Sequence, residues 1–212
     1  MAENKVRFNL KNVHYAVLTE TVSTAGVVSY SWATPVAVKG AVSLDLSAEG
    51  DTSPFYADGI VYYRSIANNG YSGTLEMARF SDKMMQEVWG DTLGSTSKVL
   101  TENATVNPKS FALLYQIDGD ADEEYYCLYN VSGTRPNVGS QTNEETKEPQ
   151  TQSSDIAAIP LGDGRVMART TADTPSATKT GWFSTVFQES GSQRYSRSPK
   201  KWSAPSLSVV QN

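Results

Sequence analysis

The sequence has 212 residues with 39% hydrophobic residues, one cysteine, one histidine, and 18 lysines and arginines against 23 aspartates and glutamates. Its length suits one large domain or two small ones, and its 11 tyrosines, six phenylalanines and four tryptophans provide aromatic area that disordered chains lack. The single Cys127 excludes an intramolecular disulfide framework, and the net charge of −5 argues against general wrapping of nucleic acid.

The charge is distributed unevenly along the chain. Residues 191–212 contain four basic side chains and no acidic one, whereas residues 1–190 carry 14 basic and 23 acidic side chains, a formal charge of −9. We therefore predict an acidic β-rich domain over residues 1–187 and a flexible, basic, Ser/Pro-rich C-terminal extension over residues 188–212. The basic residues of this candidate arm are Arg194, Arg197, Lys200 and Lys201.

The N-terminal stretch MAENKVRFNL lacks the apolar run of a secretory signal. No segment approaches the roughly 20 apolar residues that a membrane helix needs. We expect a soluble protein that is made in the cytosol and has no membrane partner.

Alternating polar and apolar residues predict strands through most of the chain. In residues 41–50, Val42, Leu44 and Leu46 are predicted to face the core while the polar residues between them face solvent. A turn at residues 68–70, Asn-Asn-Gly, predicts a hairpin over residues 60–80. A second hairpin, residues 111–131, joins two apolar runs through an acidic loop. Further strands are predicted at residues 13–20, 25–33, 149–159 and 165–171.

Two short helices are predicted. The first begins at Ser81 or Asp82, either of which can cap it, continues with apolar pairs at i,i+4 spacing, and stops at Gly90. The second is predicted over residues 181–187, GWFSTVF, where aromatic and aliphatic residues recur at helical spacing.

The sequence contains no motif that requires an enzyme. It lacks phosphate-binding glycine loops, and one histidine cannot form a paired-histidine zinc motif. His14 and Cys127 are interpreted as structural residues, the latter buried among aromatic neighbours. Residues 118–124, DGDADEE, show the alternating aspartates of a calcium loop, but Glu123 occupies the position of its glycine, so an acidic hairpin tip is the preferred interpretation. No catalytic activity, cofactor or metal is predicted.

Several stretches, taken together in this order, resemble the major tail proteins of phages with long non-contractile tails (siphophages), which polymerise into the tail tube. The similarity extends from about residue 3 to residue 187. No single stretch in it contains residues that a specific chemical function would require. The stretches are residues 34–65, 68–80, 111–120, 128–136 and 144–151, followed by Arg169-Thr170-Thr171 and Trp182-Phe183.

This resemblance implies a mainly β, tail-tube-like β-sandwich or barrel with one or two short helices. It implies a structural virion protein whose rings, expected to be hexamers, stack into the tail tube that conducts DNA into the host. The expected partners are other copies of the chain and the tape-measure, tail-tip and tail-terminator proteins, with DNA passing through the lumen without specific binding. The expected location is the virion tail, and the host cytoplasm during assembly.

Two sets of residues are candidates for this function. The polar strand faces offer Asp45, Glu49 and Glu76 as charges that line the lumen. The loop at residues 50–59 combines glycine, proline and aromatic residues, and it offers Asp51, Phe55 and Tyr56 as contacts between rings or subunits. The alternative is that Phe55 and Tyr56 cap the core of their own domain. The basic arm is expected to meet an acidic surface, such as the neighbouring ring.

Two other functional classes stay open at this point. A ligand-binding or carbohydrate-binding β-sandwich module would present its tyrosines and tryptophans as one exposed planar platform. A hydrolase with paired carboxylates would need two of them facing each other at roughly 5–9 Å, and no recognisable site of this kind is present in the sequence.

Overall fold

The computed structural model describes residues 4–24, 26–142 and 149–189. Among these residues strands predominate and there are two short helices, so the mainly β prediction is confirmed. Arg194, Arg197, Lys200 and Lys201 lie outside the described residues. The elements are β1 (Arg7–Val22), β2 (Val28–Trp32), β3 (Val36–Ala37), β4 (Ala41–Glu49), β5 (Thr52–Ala57), β6 (Ile60–Ile66), β7 (Gly70–Met77), α1 (Asp82–Glu87), β8 (Thr92–Leu93), β9 (Leu100–Thr101), β10 (Phe111–Gly119), β11 (Glu123–Gly133), β12 (Gln152–Ala158), β13 (Met167–Arg169) and α2 (Ser176–Gly181).

One antiparallel sheet forms the body of the protein. Its strand order is β2-β1-β10-β11-β12-β7-β4, with β3 also paired to β1 and β13 paired to β11. Strands β3 and β4 are separated by only residues 38–40, yet β3 pairs with β1 and β4 pairs with β7. This one chain segment therefore joins strands from opposite ends of the sheet, which curls into a barrel-like shape.

The central strands are covered on both faces. Alternate residues of β10 enter two separate apolar clusters, so that Leu113 belongs to one and Leu114 to the other. The larger cluster lies on the inner side of the curl, where β7 and β12 contribute Leu75 and Ile156. The smaller cluster lies against the segment after α2, which contributes Trp182. Strands buried on both faces read as continuous apolar runs, which is why residues 111–115 are all apolar.

Helix α1 closes the larger cluster, and its predicted capping is confirmed. The Ser81 hydroxyl oxygen accepts a hydrogen bond from the Met84 backbone N–H at 3.2 Å. Gly90 follows the helix with φ +76°. The preceding residue, Trp89, is buried, and its indole N–H donates a hydrogen bond to the Gly133 carbonyl oxygen at 3.1 Å. Neither helix of the described ranges has the length and apolar composition of a membrane span.

The second helix prediction is wrong in its position. Helix α2 ends at Gly181, where the predicted helix was to begin, and the residues after it form turns. The apolar spacing of residues 182–187 instead reflects packing, because Trp182 and Val186 are buried in the smaller cluster and Phe183 packs against it. The predicted hairpin at residues 111–131 is confirmed as β10 and β11.

The predicted hairpin over residues 60–80 is also wrong. Strand β6 pairs with β5, whereas β7 pairs with β4 and β12, so the Asn-Asn-Gly segment connects two sheets. Leu44 and Leu46 face the core as predicted, but Val42 does not. A register shift between Ala41 and Ser43 makes Val42 the extra residue of a β-bulge, and its side chain is exposed.

Candidate functional site

Strands β5 and β6, residues 52–66, form a hairpin that projects from the barrel. From here on, "the arm" means this hairpin and not the basic C-terminal extension. Strands β4 and β7 pair up to Glu49 and Gly70, and the same two chain segments continue into the arm. The Asn69 N–H donates to the Glu49 carbonyl oxygen at 2.8 Å, and the Ala67 N–H donates to that of Asp51 at 2.9 Å. The arm is therefore a direct extension of the β4–β7 pair, about 20 Å long at ~3.3 Å per residue.

The tip of the arm is a tight two-residue turn. Asp58 and Gly59 have φ values of 53° and 77°, and they lie between the paired residues Ala57 and Ile60. Positive φ at both central residues is the geometry that matches the twist of paired strands, and Asp-Gly is a preferred sequence for it. The hairpin signal in this region was therefore Asp58-Gly59, and sequence reasoning missed it.

The arm exposes an unusual amount of apolar surface. Phe55 and Tyr56 are 60% and 63% exposed, and Tyr62 and Tyr63 are 73% and 63% exposed. The alternative that Phe55 and Tyr56 cap their own core is therefore wrong. Asp51 lies at the base of the arm and is also exposed. The large apolar residues exposed on the arm are Phe55, Tyr56, Ile60, Val61, Tyr62, Tyr63 and Ile66.

These apolar residues occupy both faces of the arm. Phe55 pairs with Tyr63 and Tyr56 pairs with Val61, so Tyr62 is the extra residue of a bulge. One surface, which we name the Arg64 face, consists of Thr52, Pro54, Tyr56, Val61, Arg64 and Ile66, with the bulge residue Tyr62 beside Val61. The opposite surface, the Phe55 face, consists of Ser53, Phe55, Ala57, Ile60, Tyr63 and Ser65.

A second feature is an acidic face on the outside of the barrel. In the register of β4, β7 and β12, Asp45 lies opposite Thr74, and Thr74 lies opposite Asp155. Glu76 is two residues from Thr74 and Glu49 is four residues from Asp45, so all four carboxylates share one face. The structure thus brings together the three predicted candidates Asp45, Glu49 and Glu76, and it adds Asp155, which sequence reasoning missed.

Among the described residues, hydroxyl groups rather than cations bind three of these carboxylates, those of Glu49, Glu76 and Asp155. Glu76 accepts hydrogen bonds from Thr151 at 2.5 Å and Ser43 at 2.8 Å, which lower its pKa. Ser72 donates to Glu49, and Thr74 donates to Asp155 at 2.9 Å. Within the described ranges none of the four carboxylates makes an ion pair. The face therefore carries four acidic side chains without a cation from the described residues beside them.

The other side chains that could act as nucleophiles, bases or metal ligands are held in structural contacts. Cys127 is fully buried, and burial raises its pKa to about 12. The His14 ring stacks on Phe183 with 4.5 Å between ring centroids. At the acidic tip, the side-chain amide oxygen of Asn4 accepts the backbone N–H of Asp122 at 2.8 Å. In the part of the chain that the structure describes, no three histidine, cysteine or acidic side chains are grouped to hold a metal ion.

No protein-family model matches the sequence, and no curated protein is significantly similar to it. Among solved structures, the chain is similar to the tube-terminating cap of the anti-feeding prophage, determined by cryo-electron microscopy. The TM-score is 0.44 with 11% identity, over 81% of this chain and 97% of that chain. The similarity is coarse, and it assigns neither a function nor an oligomeric state to this chain.

Proposed function

We propose that this protein is a structural subunit of a phage tail that assembles with copies of itself into a tube. The observation that carries the proposal is the arm, whose large apolar side chains contact little of their own chain. The sequence resemblance to siphophage tail tube proteins supplies the architecture, in which rings, taken as hexamers, stack and enclose a channel.

The arm favours an assembly larger than a dimer. Soluble monomers rarely expose a contiguous apolar patch of this kind, and full burial of one large apolar side chain is worth roughly 1.5–3 kcal/mol. Because apolar residues lie on both faces of the arm, a partner subunit that covers one face leaves the apolar residues of the other face in water. An arm inserted between two subunits has both faces covered.

The acidic face suits the wall of a DNA channel. A protein surface binds duplex DNA mainly by neutralising phosphates with lysine and arginine. Asp45, Glu49 and Glu76 lie among serine and threonine hydroxyls on this face, so a lumen lined by them repels the duplex and stays hydrated. In this proposal DNA passes without specific binding during ejection, and the protein has no catalytic activity.

The remaining parts of the proposal follow from the tube. A tube of fixed length needs a tape-measure protein inside it and tail-tip and tail-terminator proteins at its ends, and these are the expected partners. The working location is the virion tail, after assembly in the host cytoplasm.

A carbohydrate-binding module is the second candidate, because four aromatic side chains of the arm are exposed. Sugar rings stack on a planar platform, whereas Phe55 and Tyr63 lie on one face of the arm and Tyr56 and Tyr62 on the other. This distribution favours protein contacts on both faces.

The arm can be tested without disturbing the barrel. In the double variant Phe55→Ser with Tyr63→Ser, we expect the free energy of unfolding to change by less than about 0.5 kcal/mol per site, because both side chains are exposed. We expect tube formation, followed by electron microscopy, to be lost. The matched control is Val22→Ser with Val138→Ser, two exposed valines outside the arm, which should form tubes. Normal tubes from the arm variant would contradict the proposal.

A further inference from the structure

The outer face of the barrel contains an open groove across β7, β12 and β11. Its volume is about 780 Å³. The register places Ser132, Ala157 and Ser72 side by side on the three strands, and these short side chains leave the groove shallow and open. Pro108 also lines it, and Ile156 lies beneath it with its side chain in the larger cluster. The groove therefore offers an apolar surface with room for larger side chains from another molecule.

The groove also carries a negative charge. Asp155 lines it, and its carboxylate accepts a hydrogen bond from Thr74 without a basic partner in the described ranges. Asp45 lies in the same row, two strands along. An occupant that combines aromatic side chains with one positive charge complements this surface.

The Arg64 face of the arm has this composition. Arg64 lies between Tyr62 and Ile66 on β6, opposite Pro54. No ion pair of Arg64 is present within the part of the chain that the structure describes. The same chain thus carries an apolar surface with a cation and an apolar groove with a carboxylate, and neither charge is paired with a described residue.

The arm of one subunit does not reach its own groove. Backbone hydrogen bonds at residues 49–51 and 67–69 align the arm with the β4–β7 pair, so it extends away from the barrel along the strand direction. We propose that the groove receives the Arg64 face of the arm of a second copy, with Arg64 beside Asp155. This inference rests on the proposed function and names the docking surface within it.

The proposed contact joins two different surfaces of identical chains. Such a head-to-tail contact leaves each subunit with one free arm and one free groove, and its repetition gives a closed ring or an open filament. The Phe55 face stays available for a further subunit. Of the four carboxylates on the acidic face, Asp155 alone lines the groove, so Asp45, Glu49 and Glu76 stay available for the lumen.

Cross-linking between two single-cysteine variants tests the contact. Tyr62→Cys is mixed with Ser132→Cys under assembly conditions and oxidised, and the parallel control is Tyr62→Cys with Ser43→Cys. Ser43 is exposed on the same outer face but belongs to β4. The native Cys127 is fully buried and does not compete. We expect a cross-linked dimer with Ser132→Cys and none with Ser43→Cys.

A charge exchange provides a second measurement. Arg64→Asp and Asp155→Arg should each raise the critical concentration for assembly by about tenfold or more, and combining them in one chain should restore it. If the wild type assembles but Ser132→Cys does not cross-link, or the exchange restores nothing, the groove assignment is wrong while the proposed function stands. If the wild type forms no assembly under any condition, both are wrong.

Discussion

The α-carbon of Gly70 faces the carbonyl oxygen of Ala158 so closely that a β-carbon on Gly70 would lie 1.9 Å from that oxygen. Gly70 is the first residue of β7, and its φ is +102°, which residues with a side chain rarely adopt. It connects the arm to the barrel, so the arm's direction depends on a position that admits only glycine.

We therefore expect Gly70→Ala to destabilise the protein by more than about 2 kcal/mol, since backbone strain and a steric clash act together. Gly59→Ala is the matched control. Gly59 also has a positive φ, of 77°, but a β-carbon there meets nothing within 4 Å. Urea denaturation should give a smaller loss, about 1 kcal/mol, for the control. Equal losses for the two variants would show that the contact with Ala158 is not tight.

Arg135 stabilises the segment that follows α1. Its guanidinium contacts the Asp91 carboxylate at 2.5 Å and that of Glu102 at 2.8 Å. The Asp91 side chain is only 5% exposed, so Arg135→Ala leaves a buried carboxylate without its cation. We expect a loss of about 2–4 kcal/mol in the free energy of unfolding. Arg79→Ala removes an ion pair with Asp82 that is exposed on both sides, and it should cost less than about 1 kcal/mol.

The carboxylate of Glu124 links the N-terminal strand to β11. Burial alone would raise its pKa, but hydrogen bonds from Tyr126 and Asn4 and the charge of Arg7 outweigh burial and lower it. The folded-state pKa is thus below the unfolded value, so this stabilisation is present above the unfolded pKa and is lost as the pH falls through the folded one.

Replacing Glu124 tests this linkage directly. Glu124→Gln should reduce the free energy of unfolding by about 1–2 kcal/mol near neutral pH, and its deficit against the wild type should shrink below about pH 4. Glu20→Gln, at an exposed position of β1, is the control and should match the wild type at both pH values. A deficit of Glu124→Gln that is independent of pH would show that the carboxylate's charge is not responsible.

The lumen assignment predicts a change in DNA affinity. Replacing Asp45, Glu49 and Glu76 together by lysine changes the charge of each subunit by six. Tubes of this variant should retain short duplex DNA at low salt and release it as the salt concentration rises, whereas wild-type tubes should retain none. The control replaces the exposed residues Glu20, Asp82 and Asp173, which lie off the acidic face, by lysine. If tubes of the two variants bind DNA equally, the lumen assignment is wrong.

Local signals in the sequence predicted much of the barrel. The Ser81 cap and the Gly90 stop define α1 through contacts within a few residues, and alternation placed Leu44 and Leu46 in the core. Alternation failed at Val42 because a bulge there shifts the register by one residue. A bulge depends on how two strands fit, which one strand's pattern does not encode.

The arm was mispredicted for a related reason. Both Asp58-Gly59 and Asn69-Gly70 are turn sequences, and local chemistry does not specify which strand β6 or β7 will join. Long-range pairing decides this, because β7 is held between β4 and β12. The same pairing brings Asp155 beside the predicted Asp45, Glu49 and Glu76, although it is about 80 residues or more distant in sequence.

Electron microscopy of the purified full-length chain across protein and salt concentrations tests the central claim most directly. We predict rings that stack into hollow tubes, with density for the arm between adjacent subunits. Particles that stay monomeric under every condition, or closed dimers with no channel, would contradict the proposal that this protein is a tail tube subunit.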